Sequence, residues 1–273
     1  MPSIARRSTT LAGAGLALLL VAGCASSGVN KGQINIISLE EEWQLGQQLE
    51  RDIARQMPLV EDRAALAYVN AVGQRIVRQT ELGQLPWEFH IVANKEVNAF
   101  NIPGGHVYVN SGLIEATDDV AEFAAVLAHE ISHGVSRHGT EQLTRAYGIS
   151  ALGSVLLGQN PRVYEEILAQ VLAQGSMARF SRSAENEADN LGVRYMYEAG
   201  YDPQGMVQMF RGLLEQQRRQ PSSVEQFFAT HPLTEERIAN VQKEITALPQ
   251  RAGLTRQDPE YRELQSRVAR YGR

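Results

Sequence analysis

The hydrophobic positions of this 273-residue chain change period several times along its length, and each change marks an element. Leu11 to Val21 is a continuous apolar run about a dozen residues long. A short polar tether over residues 25–37 then leads to Ser38-Leu39-Glu40-Glu41, which matches a capping box and opens a helix to about Gln56. From Glu61 to Gln79, Leu66, Val69, Val72, Ile76 and Val77 recur at helical spacing and predict a second amphipathic helix. The period then falls to two. Trp87, Phe89, Ile91 and Ala93 alternate with Glu88, His90 and Val92, the pattern of a half-buried strand. Two shorter runs, Val97 to Ile102 and His106 to Asn110, flank the turn signal Pro103-Gly104-Gly105 and predict an antiparallel hairpin.

Helical spacing returns after Asp119, which with Glu122 can cap a helix whose buried stripe carries Val120, Phe123, Leu127 and Ile131. Residues 140–158 and 162–180 predict two helices split at Asn160-Pro161. The apolar stretch Ala146 to Gly158 is too short to span a bilayer, and stands as core or as a surface that touches lipid or a partner. A helix from about Ser183 stops at Gly200, Asp202-Pro203 starts another, and Thr234 to Ala247 gives one more. The fold class expected is α+β: mostly helical, with a small antiparallel sheet beside the helix that follows Asp119. One domain over residues 38–250 accounts for these elements, and residues 251–273 form a basic C-terminal tail with a solvated helix capped at Asp258-Pro259.

Composition is ordinary for a globular chain, with 43% hydrophobic and 21% charged residues. The N-terminus departs from that average. Arg6 and Arg7 precede the apolar run, which ends at Val21-Ala22-Gly23-Cys24, so residues 1–23 have the form of an export signal. The junction resembles a lipobox. That resemblance implies cleavage before Cys24 and its acylation, hence attachment to a membrane, and Ala25 in place of Asp implies sorting to the bacterial outer membrane, on its periplasmic face. Cys24 is the single cysteine, so no internal disulfide can form. Without the leader, 24 Lys and Arg stand against 31 Asp and Glu, a net charge of −7 that disfavours nucleic acid as a partner.

The chemistry concentrates in His129-Glu130-Ile131-Ser132-His133, an HExxH pattern inside a predicted helix. Residues four apart lie on one helical face, so both imidazoles can point at one ion, and neutral imidazole suits zinc. Glu130 sits about 100° round the helix, placed to reach a water rather than to join the pair. A catalytic zinc takes three protein ligands and keeps a position for water, so a third donor is required. Ser181-Arg182-Ser183-Ala184-Glu185-Asn186-Glu187-Ala188-Asp189 offers Glu185 and Asp189, four apart on one face.

These motifs, with NAFNIPGGHVYVNSGLI before them and THPLTEERI after, resemble the HtpX and BepA type of zinc metallopeptidase, family forty-eight of the metallopeptidases, and within it the LoiP-like periplasmic lipoprotein branch. The resemblance runs from about Leu39 to Leu248. It implies a zincin-like peptidase domain with one zinc ion, held by His129, His133 and Glu185, with Glu130 as general base and Asp189 orienting a ligand imidazole. His231, in the family's His-Pro motif, is implied near the metal, either stabilising the oxyanion or closing the open position as a fourth ligand. Asn98, Ala99 and Phe100 could offer a strand edge to an extended polypeptide substrate. His138 is expected to rotate off the metal face onto a polar surface, Glu187 to be a solvated charge, and His90 and His106 to be hydrogen-bonded structural residues. The function expected is degradation of misfolded or misassembled outer-membrane and periplasmic proteins, with outer-membrane assembly proteins as partners. An envelope chaperone or assembly factor with a latched or structural metal stays open, as does a zinc amidase acting on cell-wall peptides.

Overall fold

A computed structural model describes residues 37–175 and 179–271. The expected leader and Cys24 lie outside the described residues. Within them the elements run α1 Leu39–Ala54, α2 Arg63–Val77, β1 Glu88–Val92, β2 Ala99–Ile102, β3 His106–Asn110, α3 Ser111–Ala116, α4 Val120–Val135, α5 His138–Tyr147, α6 Ile149–Leu156, α7 Pro161–Gln174, α8 Arg182–Glu198, α9 Gln204–Arg219, α10 Pro221–Thr230, α11 Glu235–Ala247 and α12 Pro259–Val268. The α+β, mostly helical expectation holds.

Local chemistry sets many of these boundaries. The Ser38 hydroxyl accepts from the Glu41 amide at 3.1 Å while the Ser38 amide donates to the Glu41 carboxylate at 2.8 Å, the reciprocal cap read from the sequence. The side chains of Asp62, Asp119 and Ser181 accept from first-turn amides of α2, α4 and α8, without the reciprocal bond. No helix among the described residues is long and apolar enough to cross a membrane.

The sheet corrects the expectation of a wholly antiparallel one. Its order is β1-β3-β2, with β2 antiparallel to β3 and β1 parallel to it. The hairpin forms as expected around residues 103–105, but β3 returns into the slot between β1 and β2. After two reversals it therefore runs the same way as β1. The sheet also has two cores rather than one wet face. Phe89, Ile91, Ala99, Val107 and Val109 pack toward α2 and α4. Val92, Phe100, Ile102 and Tyr108 pack toward α1, α6 and α7.

Three helical expectations also change. The stripe on α4 widens to the whole circumference, since every residue but Gly134 is buried; α2, α8, α9 and β2 surround it. The helix expected over 140–158 breaks in two at Gly148, whose φ of 78° favours glycine. In the second piece, Leu152 and Val155 are buried but Ile149 and Leu157 are exposed, so the apolar stretch divides between core and surface. The C-terminal helix α12 is not solvated: Tyr261, Leu264 and Val268 are buried, and it packs on α2 and α3. Tyr68 on α2 donates to Asp258 at 2.8 Å and Arg267 pairs with Asp62 at 3.3 Å, which ties that end to the body.

Gly46 is a close approach that sets the hairpin. A Cβ there would lie 2.0 Å from the Pro103 carbonyl oxygen, so α1 rests directly on the turn between β2 and β3. Gly46→Ala is expected to destabilise the fold by about 1–3 kcal/mol through overpacking. A urea titration checks this, and an unchanged midpoint would contradict it.

Candidate metal centre

Helix α4 carries His129 and His133, and α8 crosses it to bring in Glu185. The two helices make the most extensive contact among the elements. His129 Nε2 and His133 Nε2 stand 3.1 Å apart. Glu185 Oε1 is 3.3 Å from His133 Nε2, and its other oxygen is 3.6 Å from His129 Nε2. The fourth member comes from a helix the sequence had not signalled. His231 ends α10, and its Nδ1 lies 3.2 Å from His129 Nε2 and 3.1 Å from Glu185 Oε1. All four offer ligand atoms within 4.8 Å of one another, and all four are buried.

The imidazoles are held from behind. Asp189 Oδ1 faces His129 Nδ1 at 3.0 Å, which favours the proton on that nitrogen and leaves Nε2 a bare lone pair. His133 Nδ1 faces His138 Nδ1 at 2.9 Å, and His138 Nε2 faces Glu187 at 3.4 Å. One tautomer assignment satisfies this row: His133 donates to His138, which donates toward Glu187. His133 Nε2 is then bare as well. The bare Nε2 atoms of His129 and His133, 3.1 Å apart in a buried site beside a carboxylate, repel unless a cation lies between them, so the donor set fits a metal ion.

Two expectations are corrected here. His138 is buried rather than on a polar surface, and Glu187 is its partner rather than a free solvated charge. The cause is Arg137, whose backbone is left-handed with φ 58°. Helix α4 ends just before it, so the chain turns and α5 starts with His138 folded back onto His133. Buried Glu42 holds Arg137 in place at 2.6 Å.

Two neighbours of the cluster were not singled out by the sequence. Arg237 on α11 forks onto Asp189, with both bonds at 2.7 Å, and its third nitrogen lies 2.6 Å from Glu185. It stands six residues after His231 within the His-Pro motif, a position the sequence displayed without indicating its direction. Asn101 on β2 donates to the Glu130 carbonyl at 2.8 Å and lies 3.4 Å from the Glu130 carboxylate. The expected substrate edge Asn98, Ala99 and Phe100 is buried. Even so, β2 stands at the border of the sheet, pairing only with β3 among the described strands.

Glu130 lies beside the cluster without joining it, its Oε1 3.6 Å from His231 Nε2 and lacking a hydrogen-bond partner. Burial pushes its carboxyl above the ordinary range, against the pull of His231 and His129. Burial would also raise Glu185, but His231, His133 and His129 outweigh it and hold that carboxyl well down. Burial drives His133 well below the usual imidazole range. It would lower His231 too, but the charges of Glu185 and Glu130 prevail and raise it.

Comparison with known proteins bears on this geometry directly. Residues 63–245 match the peptidase family M48. The chain belongs to peptidase family M48. It is 34% identical over 213 residues to the beta-barrel assembly-enhancing protease of Escherichia coli strain K12, covering 75% of this chain and 44% of that protein. It is 28% identical over 219 residues to the mitochondrial metalloendopeptidase OMA1 of Schizosaccharomyces pombe, covering 78% of this chain and 64% of the other. The chain thus spans less than half the length of the bacterial relative. Both relatives are named as peptidases, and M48 membership makes this chain a peptidase of that family with a metal-competent His and Glu cluster.

Proposed function

We propose that this M48 peptidase is a zinc-dependent endopeptidase of the bacterial envelope, tethered through acylated Cys24 to the periplasmic face of the outer membrane and acting on misfolded or misassembled proteins there. The carrying observation is the convergence of His129, His133, Glu185 and His231 beside a fifth buried group, Glu130, that is not drawn into the set. The name of the Escherichia coli relative supports a substrate or partner among outer-membrane assembly proteins.

His129, His133 and Glu185 would hold the ion, one per chain at this centre. A bound zinc supplies Lewis acidity, lowering the pKa of a water to about 7 and polarising the scissile carbonyl. Glu130 takes the water proton on its carboxylate and delivers it to the leaving amine, so one water is consumed as the C–N bond breaks and a C–O bond forms. Asp189 keeps the His129 proton on Nδ1, and Arg237 fixes the direction of Glu185. Asn101 steadies Glu130 next to the edge strand β2, along which Asn98, Ala99 and Phe100 would guide an extended substrate by backbone pairing. Time-dependent cleavage of a denatured outer-membrane protein, abolished by chelator and restored by zinc, tests the reading. Cleavage indifferent to the chelator would overturn it.

His231 favours a second layer to this reading, a latched enzyme. Its Nδ1 falls inside the ligand cluster, 3.1 Å from Glu185 Oε1, where a fourth protein donor excludes the water that attacks substrate. His231→Ala is expected to raise the initial rate of zinc-dependent cleavage several-fold. A fall of about 10²–10³ would assign the residue to the oxyanion instead.

A further inference from the structure

The sheet face turned away from α4 carries another group of metal-ligating side chains. Glu88 and His90 are two apart on β1 and share that face, and His106 on β3 is the register partner of Glu88. His90 Nε2 and His106 Nδ1 each lie 3.9 Å from the same atom, Glu88 Oε2, and the three donors lie within 4.8 Å of one another. Two ligands bound to a tetrahedral zinc at 2.0–2.1 Å stand about 3.4 Å apart, so each carboxylate-to-imidazole distance needs to shorten by roughly half an ångström. Glu88 can supply that movement. Its side chain is 56% exposed, whereas that of His106 is 4% exposed and held in place.

The expectation that these histidines are hydrogen-bonded structural residues is not met on the atoms that face Glu88. His90 Nε2 and His106 Nδ1 are both buried and neither has a hydrogen-bond partner. Such atoms are rare in native folds and require a reason. Packing limits their escape: His90 stacks on Tyr108 at 4.5 Å, and Tyr108 stacks on Phe100 at 4.9 Å. Burial brings the pKa of each imidazole down to about 4, so both keep a lone pair at neutral pH. Burial, then the charge of Glu50 on α1, raises the Glu88 carboxyl, which locates a second carboxylate close by.

We propose that Glu88, His90 and His106 form a second divalent-cation site of the zinc type, distinct from the M48 centre and clamping β1 to β3. Two imidazoles and a carboxylate favour zinc-like ions over magnesium or calcium, which prefer all-oxygen sets. The two centres occupy opposite sides of the sheet. Asn101, Val107 and Val109 face α4, while His106 and Tyr108 face α1. An ion on the far side would therefore stabilise the strand pair without entering the hydrolytic chemistry.

Metal analysis of the full chain, loaded with zinc and then freed of excess by dialysis, tests the proposal. The wild type is expected to retain two zinc ions per chain, and Glu88→Ala and His90→Ala one each, with wild-type peptidase activity. His133→Ala is expected to retain one, lost from the other centre. Glu88 is mostly exposed, so its replacement reads the site without disturbing the fold. Zinc content equal to wild type in both Glu88→Ala and His90→Ala would overturn the proposal. If the M48 centre were the one that fails, the wild type would carry one ion, Glu88→Ala none and His133→Ala still one.

Discussion

Glu130→Gln is expected to retain its zinc and to lose proteolysis by about 10²–10⁴-fold, the range that a positioned general base contributes. The substitution keeps the shape of the side chain and its contact with Asn101, so metal and fold have no cause to change. What it removes is the ability to accept a proton. Glu130 is suited to that task because burial raises its carboxyl above the ordinary range, making it the stronger base. The sign for pH follows. The base works ionised, so cleavage falls as pH drops through the Glu130 titration, which burial raises and the charge of a bound zinc would lower. Casein cleavage measured across pH, together with metal content, checks both points. Full cleavage by the Gln variant would remove Glu130 from the mechanism.

Arg237→Met is expected to weaken zinc binding by about 10–100-fold and to lower stability by about 3–5 kcal/mol. The guanidinium is buried and meets Glu185 and Asp189 together, at 2.6 and 2.7 Å. Without it, two buried carboxylates face each other uncompensated. Loss of a nearby positive charge by itself favours a cation. Yet Glu185 and Asp189 then lose the fork that aims them, and Asp189 can no longer hold His129 in the ligating tautomer. Arg237→Lys should recover part of the stability but little of the affinity, because an ammonium cannot make the bidentate fork. Chelator competition and urea unfolding separate the two effects. Unchanged zinc affinity in Arg237→Met would show that the ligands are oriented without it.

The sequence displayed those parts of the site that obey helical arithmetic. His129 and His133 share a face because they are four apart, and Glu185 and Asp189 do so for the same reason. The caps at Ser38, Asp119 and Asp258 were similarly local. Hidden were the features that depend on the path of the chain. His138 is five residues from His133 and would point elsewhere on a continuous helix, but the left-handed Arg137 folds it back. The parallel pairing of β1 with β3 depends on which slot the hairpin enters, which no strand pattern encodes. Arg237 and Asn101 reach the centre from elements 29 or more residues away from their partners, so their types were visible but not their destinations. The burial of α12 escaped notice because six arginines in the tail masked the apolar face of Tyr261, Leu264 and Val268.

A helix enclosed on every side, as α4 is, has consequences for how the molecule breathes. Its amides can exchange with deuterium only when the packed helices around it separate, so the peptide bearing the HExxH residues should be among the last to gain mass. Admission of a polypeptide to Glu130 must therefore come from displacement of the neighbours rather than from flexing of α4. His129 and His133 ride on a stationary axle, while Glu185 belongs to the shell packed about it.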